Sequence, residues 1–130
     1  MMKKKHISSG APWEEIVGYS RVVRAGSHVF LSGTAAVDES GEVVAPGNGK
    51  KQMRYILQVA RKALEEAGAD LSCIVRTRMF VTDISQWESI GRVHREVFRD
   101  IRPATSMVEV NGLIAPGMVV EIEMDGIVTD

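Results

Sequence analysis

The sequence predicts an α+β fold in which two helices pack on one face of a mixed β-sheet. Apolar residues recur at helical spacing in two segments, and side chains alternate residue by residue in the last quarter of the chain. In chain order the segments read as two strands, a possible third, a helix, a strand, a helix and two final strands. With 130 residues, the chain is expected to form one domain over residues 1–130.

Two strands are expected at 19–23 and 27–33, joined by a hairpin turn at 24–27, because apolar residues flank a glycine-containing turn there. The segment that precedes them, at residues 10–13, is expected to be irregular. A turn-rich cluster at 38–42 then leads through prolines and glycines toward the first helix.

The first helix is predicted by apolar residues at i, i+3, i+4 and i+7, with Gly68 as its C-terminal cap. These positions are Met53, Ile56, Leu57, Ala60, Ala63, Leu64 and Ala67. The capping-box spacing of Ser85 and Glu88 predicts that a second helix begins at Ser85, and Pro103 prevents its continuation. Its apolar stripe contains Trp87, Ile90, Val93, Val97, Phe98 and Ile101.

Three further strands are predicted at 73–82, 104–110 and 119–128. In the first, alternation places Cys73, Val75, Thr77, Met79 and Val81 under the helices and Ile74, Arg76, Arg78 and Phe80 on the uncovered face. In the second, Thr105, Met107 and Glu109 share one face. In the third, Glu121, Glu123 and Asp125 point away from Val120, Ile122 and Met124.

The uncovered face of the sheet therefore combines Arg76 and Arg78 with Phe80 and a group of acids. The acids are Glu109, Glu121, Glu123 and Asp125. Such a face is typical of an oligomer interface, where buried charges must be paired. The alternative is a solvated face with cross-strand ion pairs.

Glu121 is the candidate catalytic residue, because it lies mid-strand between apolar neighbours and can orient or deprotonate water. The alternative is a structural ion pair with Arg76 or Arg78. No metal site is predicted, since the histidines and Cys73 lack ligand spacing. Arg21 and Arg24 form a short basic grouping of the kind usually found on a solvated face.

Composition excludes several classes of protein. The sequence has 16 basic and 17 acidic residues, a balance that is unlike a dedicated nucleic-acid binder. No apolar run approaches the roughly 18 residues that span a bilayer, and the basic start lacks the apolar segment of a secretory signal. One cysteine fits a reducing compartment. We expect a cytoplasmic protein that contacts neither nucleic acid nor membrane.

The C-terminal segment resembles the YjgF/RidA family, the reactive intermediate deaminases, whose signature runs Pro-Ala-Arg-Ser-x-Val-Glu-Val, a loop, then a hydrophobic residue, Glu and Ile. The matching residues are Pro103-Ala104, Ser106, Val108-Glu109-Val110, Leu113 and Val120-Glu121-Ile122. Segments 16–20, 30–34 and 78–83 are also similar to family segments, and the spacing agrees from about Pro12 to the C-terminus.

The resemblance implies a chorismate-mutase-like fold and a homotrimer with clefts between subunits. It also implies hydrolysis of reactive enamines and imines, without metal or cofactor, to a 2-keto acid and ammonia. In the family a strand-borne glutamate positions water, and here that is Glu121. A tyrosine and a serine line the cleft, here Tyr19 and Ser32, and an arginine pairs with the substrate carboxylate.

This chain departs from the pattern at that arginine, whose position is Thr105. Met107 replaces the usual cysteine, and Gly91 an asparagine of some members. A charge-assisted hydrogen bond is worth about 1.5–3 kcal/mol, which a neutral hydroxyl does not match. Arg78 is a conceivable substitute.

The expectation is therefore an imine or enamine hydrolase with an altered substrate range. Glu121 orients water, Thr105 and Ser32 hydrogen-bond the substrate, and Tyr19 and Met107 shape a pocket between subunits. The alternative is a trimeric small-molecule-binding protein without deaminase activity. The endoribonuclease label of some relatives is disfavoured by the balanced charge.

Overall fold

A computed structural model describes residues 3–129, and its centre is a six-stranded sheet. The strands are β1 (Lys4–Ile7), β2 (Val22–Ala25), β3 (His28–Ala35), β4 (Ile74–Val81), β5 (Ala104–Glu109) and β6 (Val120–Ile127). The helices are α1 (Pro12–Val17), α2 (Gly49–Glu66) and α3 (Trp87–Phe98), with short 3-10 turns at Leu71–Cys73 and Ile84–Gln86. The predicted α+β class with a mixed sheet is confirmed.

The strand order, β1-β2-β3-β6-β4-β5, places the last strand of the chain in the middle of the sheet. Neighbouring strands are antiparallel except β4 and β5, which are parallel and are connected through α3, since parallel neighbours need a long crossover. Glu121 of β6 lies opposite Ala35 of β3 on one side and Phe80 of β4 on the other. Glu121 therefore lies on a central strand that is paired with a neighbouring strand on both sides.

The hydrophobic core lies between one face of the sheet and helices α2 and α3. The alternation predicted for β6 is confirmed, because Val120, Ile122 and Met124 are each 0% exposed. The predicted apolar face of α2 is also buried: Met53, Ile56, Leu57, Ala60, Ala63, Leu64 and Ala67. Burying one face of β6 in this way turns its acidic side chains toward the uncovered face.

One polar side chain, Gln52 of α2, is completely buried in this core. Its Nε2 donates to the carbonyls of Ala45 (3.2 Å) and Gly117 (2.8 Å), and its Oε1 accepts from the Val119 N–H at 2.9 Å. A single amide thus joins α2 to the loop before it and to the loop that leads into β6. These contacts fix the point at which β6 enters the sheet.

The N-terminal segment is more ordered than the sequence predicted. Residues 10–13 were expected to be irregular, but helix α1 begins at Pro12 and ends at Val17, and Gly18, with a φ of 90°, is its left-handed C-terminal cap. β1 pairs with β2 at the edge of the sheet. Both elements are too short for a periodic pattern, so their order comes from tertiary contacts.

The start of β4 reverses the predicted alternation. A bulge between Ile74 and Arg76 buries Ile74 (3% exposed) and leaves Val75 exposed (48%). From Thr77 onward the predicted faces are correct. Glu109 was placed on the uncovered face, but it lies opposite the buried Val81.

Helix α3 begins at Trp87 rather than at Ser85, because the Asp83 carboxylate accepts from the Ser85 N–H and holds a 3-10 turn there. Trp87 is 59% exposed and does not belong to the buried stripe. The Glu109 carboxylate accepts from the Ile84 N–H at 2.9 Å in the same turn. Local side-chain bonds therefore override the capping-box pattern.

Replacing Gln52 with leucine is expected to lower the free energy of unfolding by about 1–3 kcal/mol, because it leaves the Val119 N–H without an acceptor. The carbonyls of Ala45 and Gly117 keep their backbone donors, the N–H groups of Asn48 and Gly47. Gln58→Leu, on the exposed face of the same helix, is the matched control and should change stability by less than about 0.5 kcal/mol. Urea denaturation measures both. Equal stability of the two variants would contradict the role given to Gln52.

Candidate functional site

The candidate site is an open cleft of about 770 Å³ beside α1 and the ends of β3 and β6. Tyr19, Ser32 and Glu121, which the family resemblance assigns to one site, all line this cleft. Arg21 and Gly33 line it as well. The fold thus brings together residues from three distant parts of the chain.

Glu121 reaches the cleft because Gly33 leaves room for it. A Cβ atom at position 33 would lie 2.9 Å from Cδ of Glu121. The structural ion pair considered for Glu121 is not formed: Arg78 Nη1 instead contacts Glu123 Oε1 and Asp125 Oδ2, each at 3.2 Å. Within residues 3–129, no hydrogen bond to the Glu121 carboxylate is found.

The environment of Glu121 favours a carboxyl group that readily accepts a proton. Burial raises the pKa of Glu121, the nearby positive charge of Arg21 opposes that rise, and the negative charge of Glu123 adds to it. The net effect is a raised pKa. A carboxylate of this kind is a better general base than an exposed one.

Arg21 was expected on a solvated face but is only 5% exposed. Its Nε donates to Ser9 Oγ (3.1 Å), and its Nη1 donates to the Gly33 carbonyl (2.7 Å) and to Thr34 Oγ1 (3.0 Å). Its Nη2 donates to the Tyr19 hydroxyl at 3.3 Å, and the guanidinium lies 5.4 Å from the centre of that ring. Arg21 therefore holds the cleft residues together. Only the fold reveals this role, because three of its four acceptors are 12 or 13 residues away in sequence.

Glu14 of α1 completes the group around Arg21 and is 6% exposed. It accepts from the Ser9 N–H (3.0 Å) and the Ser9 hydroxyl (2.6 Å), and lies 3.8 Å from Arg21 Nη2. Burial acts to raise the pKa of Glu14, but the hydrogen bonds from Ser9 and the charge of Arg21 lower it overall. Glu14 is thus a structural partner of Arg21 whose charged form is favoured, whereas burial of Glu121 disfavours its charged form.

The two hydroxyl groups in the cleft differ in what they can offer a ligand. Ser32 donates its proton to the Ser20 carbonyl at 2.7 Å, so only its oxygen remains available, as an acceptor. The Tyr19 oxygen accepts from Arg21, which leaves the Tyr19 proton free to be donated. The cleft therefore pairs a base, Glu121, with a donor, Tyr19.

The remaining predicted site residues lie elsewhere. Thr105 and Met107 are on edge strand β5, opposite Thr77 and Met79, on the helix-covered side of the sheet. Thr105 Oγ1 is 2.8 Å from Thr77 Oγ1, which is 2.9 Å from His94 Nε2. Burial lowers the pKa of His94 to about 4. In one chain the predicted site residues therefore lie in three places. Tyr19, Ser32 and Glu121 line the cleft. Thr105 and Met107 lie on β5, and Arg78 contacts Glu123 and Asp125 on the uncovered face of the sheet.

Residues 3–129 contain no group of three or more histidine, cysteine, aspartate or glutamate side chains arranged to hold a metal ion. No helix in this part of the chain is long and apolar enough to cross a membrane.

Comparison with known proteins identifies the class. The family described as Endoribonuclease L-PSP matches residues 10–128. The crystal structure of Rv2704 from Mycobacterium tuberculosis, a YjgF/YER057c/UK114 family member, superposes with a TM-score of 0.88 at 46% identity, covering 97% of this chain and 100% of that one.

Two curated relatives agree with this match. A RutC family protein from Pyrococcus abyssi is 33% identical over 87% of this chain and 88% of its own length. The 3-aminoacrylate deaminase RutC from Acinetobacter baylyi is 30% identical over 94% of this chain and 95% of its own. The chain belongs to the YjgF/RidA family, and the resemblance seen in its C-terminal signature is confirmed.

Glu121→Gln is expected to raise the melting temperature at pH 7. The folded pKa of Glu121 lies above its unfolded value, so stability is lost as pH rises through the interval between them. The neutral amide avoids that loss, and its advantage should shrink as pH falls below the unfolded pKa. Thermal melts of wild type, Glu121→Gln and the surface variant Glu96→Gln from pH 4 to 8 measure this. A Glu121→Gln protein that is less stable than wild type at pH 7 would contradict the assignment.

Proposed function

We propose that this protein is a hydrolase that converts a reactive imine or enamine to a carbonyl compound and ammonia, using Glu121 and no cofactor. The observation that carries the proposal is the Glu121 carboxylate, which has a raised pKa and no hydrogen-bond donor among the described residues, and which lies in a cleft beside the Tyr19 hydroxyl. Similarity to a 3-aminoacrylate deaminase supports this class of reaction.

The cleft residues match the chemistry of imine hydrolysis. Glu121 accepts a proton from water as the water oxygen bonds to the imine carbon, and Tyr19 donates a hydrogen bond to the substrate. The protonated Glu121 then returns the proton to nitrogen, which gives a carbinolamine. In a second transfer Glu121 moves the hydroxyl proton of the carbinolamine to nitrogen, and the C–N bond breaks to release ammonia as the carbonyl forms. One water is consumed for each ammonia released. An enamine first takes a proton on carbon to become the imine.

The substrate range is expected to differ from that of relatives with an arginine at position 105. Arg21 does not replace that arginine, because its Nε, Nη1 and Nη2 all donate to groups of the protein. Arg78 is occupied by Glu123 and Asp125. A substrate without the α-carboxylate, or one that binds it elsewhere, fits these contacts.

We further propose that the chain acts as a cytoplasmic homotrimer in which each cleft is completed by β5 of a neighbouring subunit. Large apolar side chains near one rim of the cleft are exposed in a single chain: Ile16 (78%), Val17 (67%) and Ile114 (60%). Such a patch is a common mark of a protein interface. The arrangement would bring Thr105 and Met107 of one subunit to the Glu121 of another.

Purified protein with enzymatically generated 2-aminoacrylate and with 3-aminoacrylate tests the activity. Ammonia release should exceed spontaneous hydrolysis on at least one imine or enamine, and Glu121→Gln should lower the rate at least about 100-fold, the scale of general base catalysis. Glu96→Gln, on the surface between α2 and α3, should retain the full rate.

Equal rates for wild type and Glu121→Gln on every substrate would refute the catalytic proposal. If keto acids or amines then raised the melting temperature of both proteins, the family fold would serve ligand binding without turnover. Sedimentation equilibrium of the same sample tests the trimer, and a monomer would refute the shared cleft.

A further inference from the structure

The cleft is much larger than the group that reacts in it. It measures about 770 Å³, within the range of roughly 300–1,000 Å³ for sites that hold drug-sized ligands. The heavy atoms of 3-aminoacrylate fill roughly 180 Å³ even if each takes the volume of a liquid water molecule, about 30 Å³. The remaining space extends to Tyr55 and Val59 of α2 and to the loop at 37–39. A substrate can therefore carry a further group beyond its reacting carbon.

The charges along the cleft define two ends. The charged groups that act on Glu121 are Arg21 and a second glutamate of β6. Elsewhere in the cleft, burial raises the pKa of Tyr55, and the negative charges of Asp38 and Glu39 raise it further. We call Tyr55, Asp38 and Glu39 the distal end of the cleft, because their charges are not among those that act on Glu121.

The distal end carries negative charge that is not neutralised within residues 3–129. Asp38 Oδ1 accepts from the Ser40 hydroxyl (2.7 Å) and from the Glu42 N–H (3.0 Å), and these bonds lower the pKa of Asp38. Neither Asp38 nor Glu39 forms a salt bridge in the described chain. Among the described residues that line the cleft, only Arg21 is basic, and its nitrogens donate to other groups of the protein.

Aromatic rings that also carry a polar group are concentrated in this cleft. The chain has two tryptophans and two tyrosines, and three of these four residues line the cleft: Trp13, Tyr19 and Tyr55. Trp13 and Tyr55 are half-buried, and no hydrogen bond of the Tyr55 hydroxyl is found within residues 3–129. The face of an aromatic ring attracts a cation. A neutral group bound there would displace water from the carboxylates without replacing its interactions.

We propose that the distal end binds a positively charged nitrogen, and that the substrate is an imine or enamine that carries such a group away from its reacting carbon. Tyr55 supplies the ring face, and Asp38 and Glu39 supply the opposite charge. An amine with the ordinary pKa of a lysine side chain, about 10.4, is charged at neutral pH. The inference rests on the proposed function in one respect, because the same molecule must react at Glu121.

Choline and 3,3-dimethylbutan-1-ol form a matched pair of probes, since they have the same shape and differ in one positive charge. Calorimetry with the purified protein at pH 7 should give choline a dissociation constant at least about tenfold lower, because the ring and the carboxylates both attract the cation. Tyr55→Leu should lower the ratio of the two dissociation constants at least about threefold. Tyr55→Phe, which keeps the ring, should preserve the ratio.

The contribution of the carboxylates needs variants that keep the loop intact. Asp38→Asn retains an oxygen that can accept the hydrogen bonds of the loop, and Glu39→Gln changes charge with little change of shape. The double variant should lower the ratio about two- to fivefold. Glu65→Gln, at an exposed position of α2 that does not line the cleft, is the matched control and should leave the ratio unchanged.

No binding of choline, equal affinity for the two probes, or a ratio that does not respond to Tyr55→Leu or to the double variant would each overturn the inference. A ratio that responds only to Glu121→Gln would also overturn it, because the cation would then lie at the reacting end. Failure of the proposed function is distinguishable, because it appears as ammonia release that does not depend on Glu121. A ratio that responds to Tyr55 in a protein without turnover would support the cation site alone.

Discussion

The buried guanidinium of Arg21 is the interaction on which the cleft depends. It joins Ser9 near the N-terminus, Tyr19 before β2, and Gly33 and Thr34 at the irregular part of β3 through four hydrogen bonds. Ser9 and Tyr19 lie outside the regular elements, and Gly33 lies at the register shift of β3, so backbone pairing alone does not fix their positions. Because the charge is also close to Glu121, the same group fixes the shape of the cleft and limits the rise in the pKa of its carboxyl.

The second constraint is the way charges are divided on the uncovered face of the sheet. Arg78 forms salt bridges with both Glu123 and Asp125. Glu121, whose side chain lies beside Gly33, has no salt bridge in the described chain. An unpaired, half-buried carboxylate lowers stability, and proteins retain such groups mainly where function requires them. This reasoning links the topology of β4 and β6 to a chemical role for Glu121.

The sequence pattern was sufficient to predict the helices and strands with a long regular hydrophobic period. It was insufficient for side chains whose hydrogen-bond partners are distant in sequence. The helical spacing of α2 and the alternation of β6 predicted their buried faces, and alternation also directed Glu121 away from the core. The role of Arg21 could not be found, because its acceptors on Ser9, Gly33 and Thr34 lie 12 or 13 residues away in sequence and meet it only in the fold. Thr105 was correctly grouped with Met107, but its separation from Glu121 follows from the parallel register of β5 on β4. The bulge in β4 left no mark in the sequence.

The most direct test of this account is an NMR titration of the Glu121 side-chain carboxyl in the wild-type protein. The account predicts a pKa above the ordinary glutamate value, and a further rise in Arg21→Met, with Arg24→Met as the control that leaves it unchanged. Amide spectra confirm that each variant is folded. A Glu121 pKa at or below the ordinary value, or one that falls when Arg21 is removed, would contradict the description of Glu121 as a desolvated base held beside Arg21.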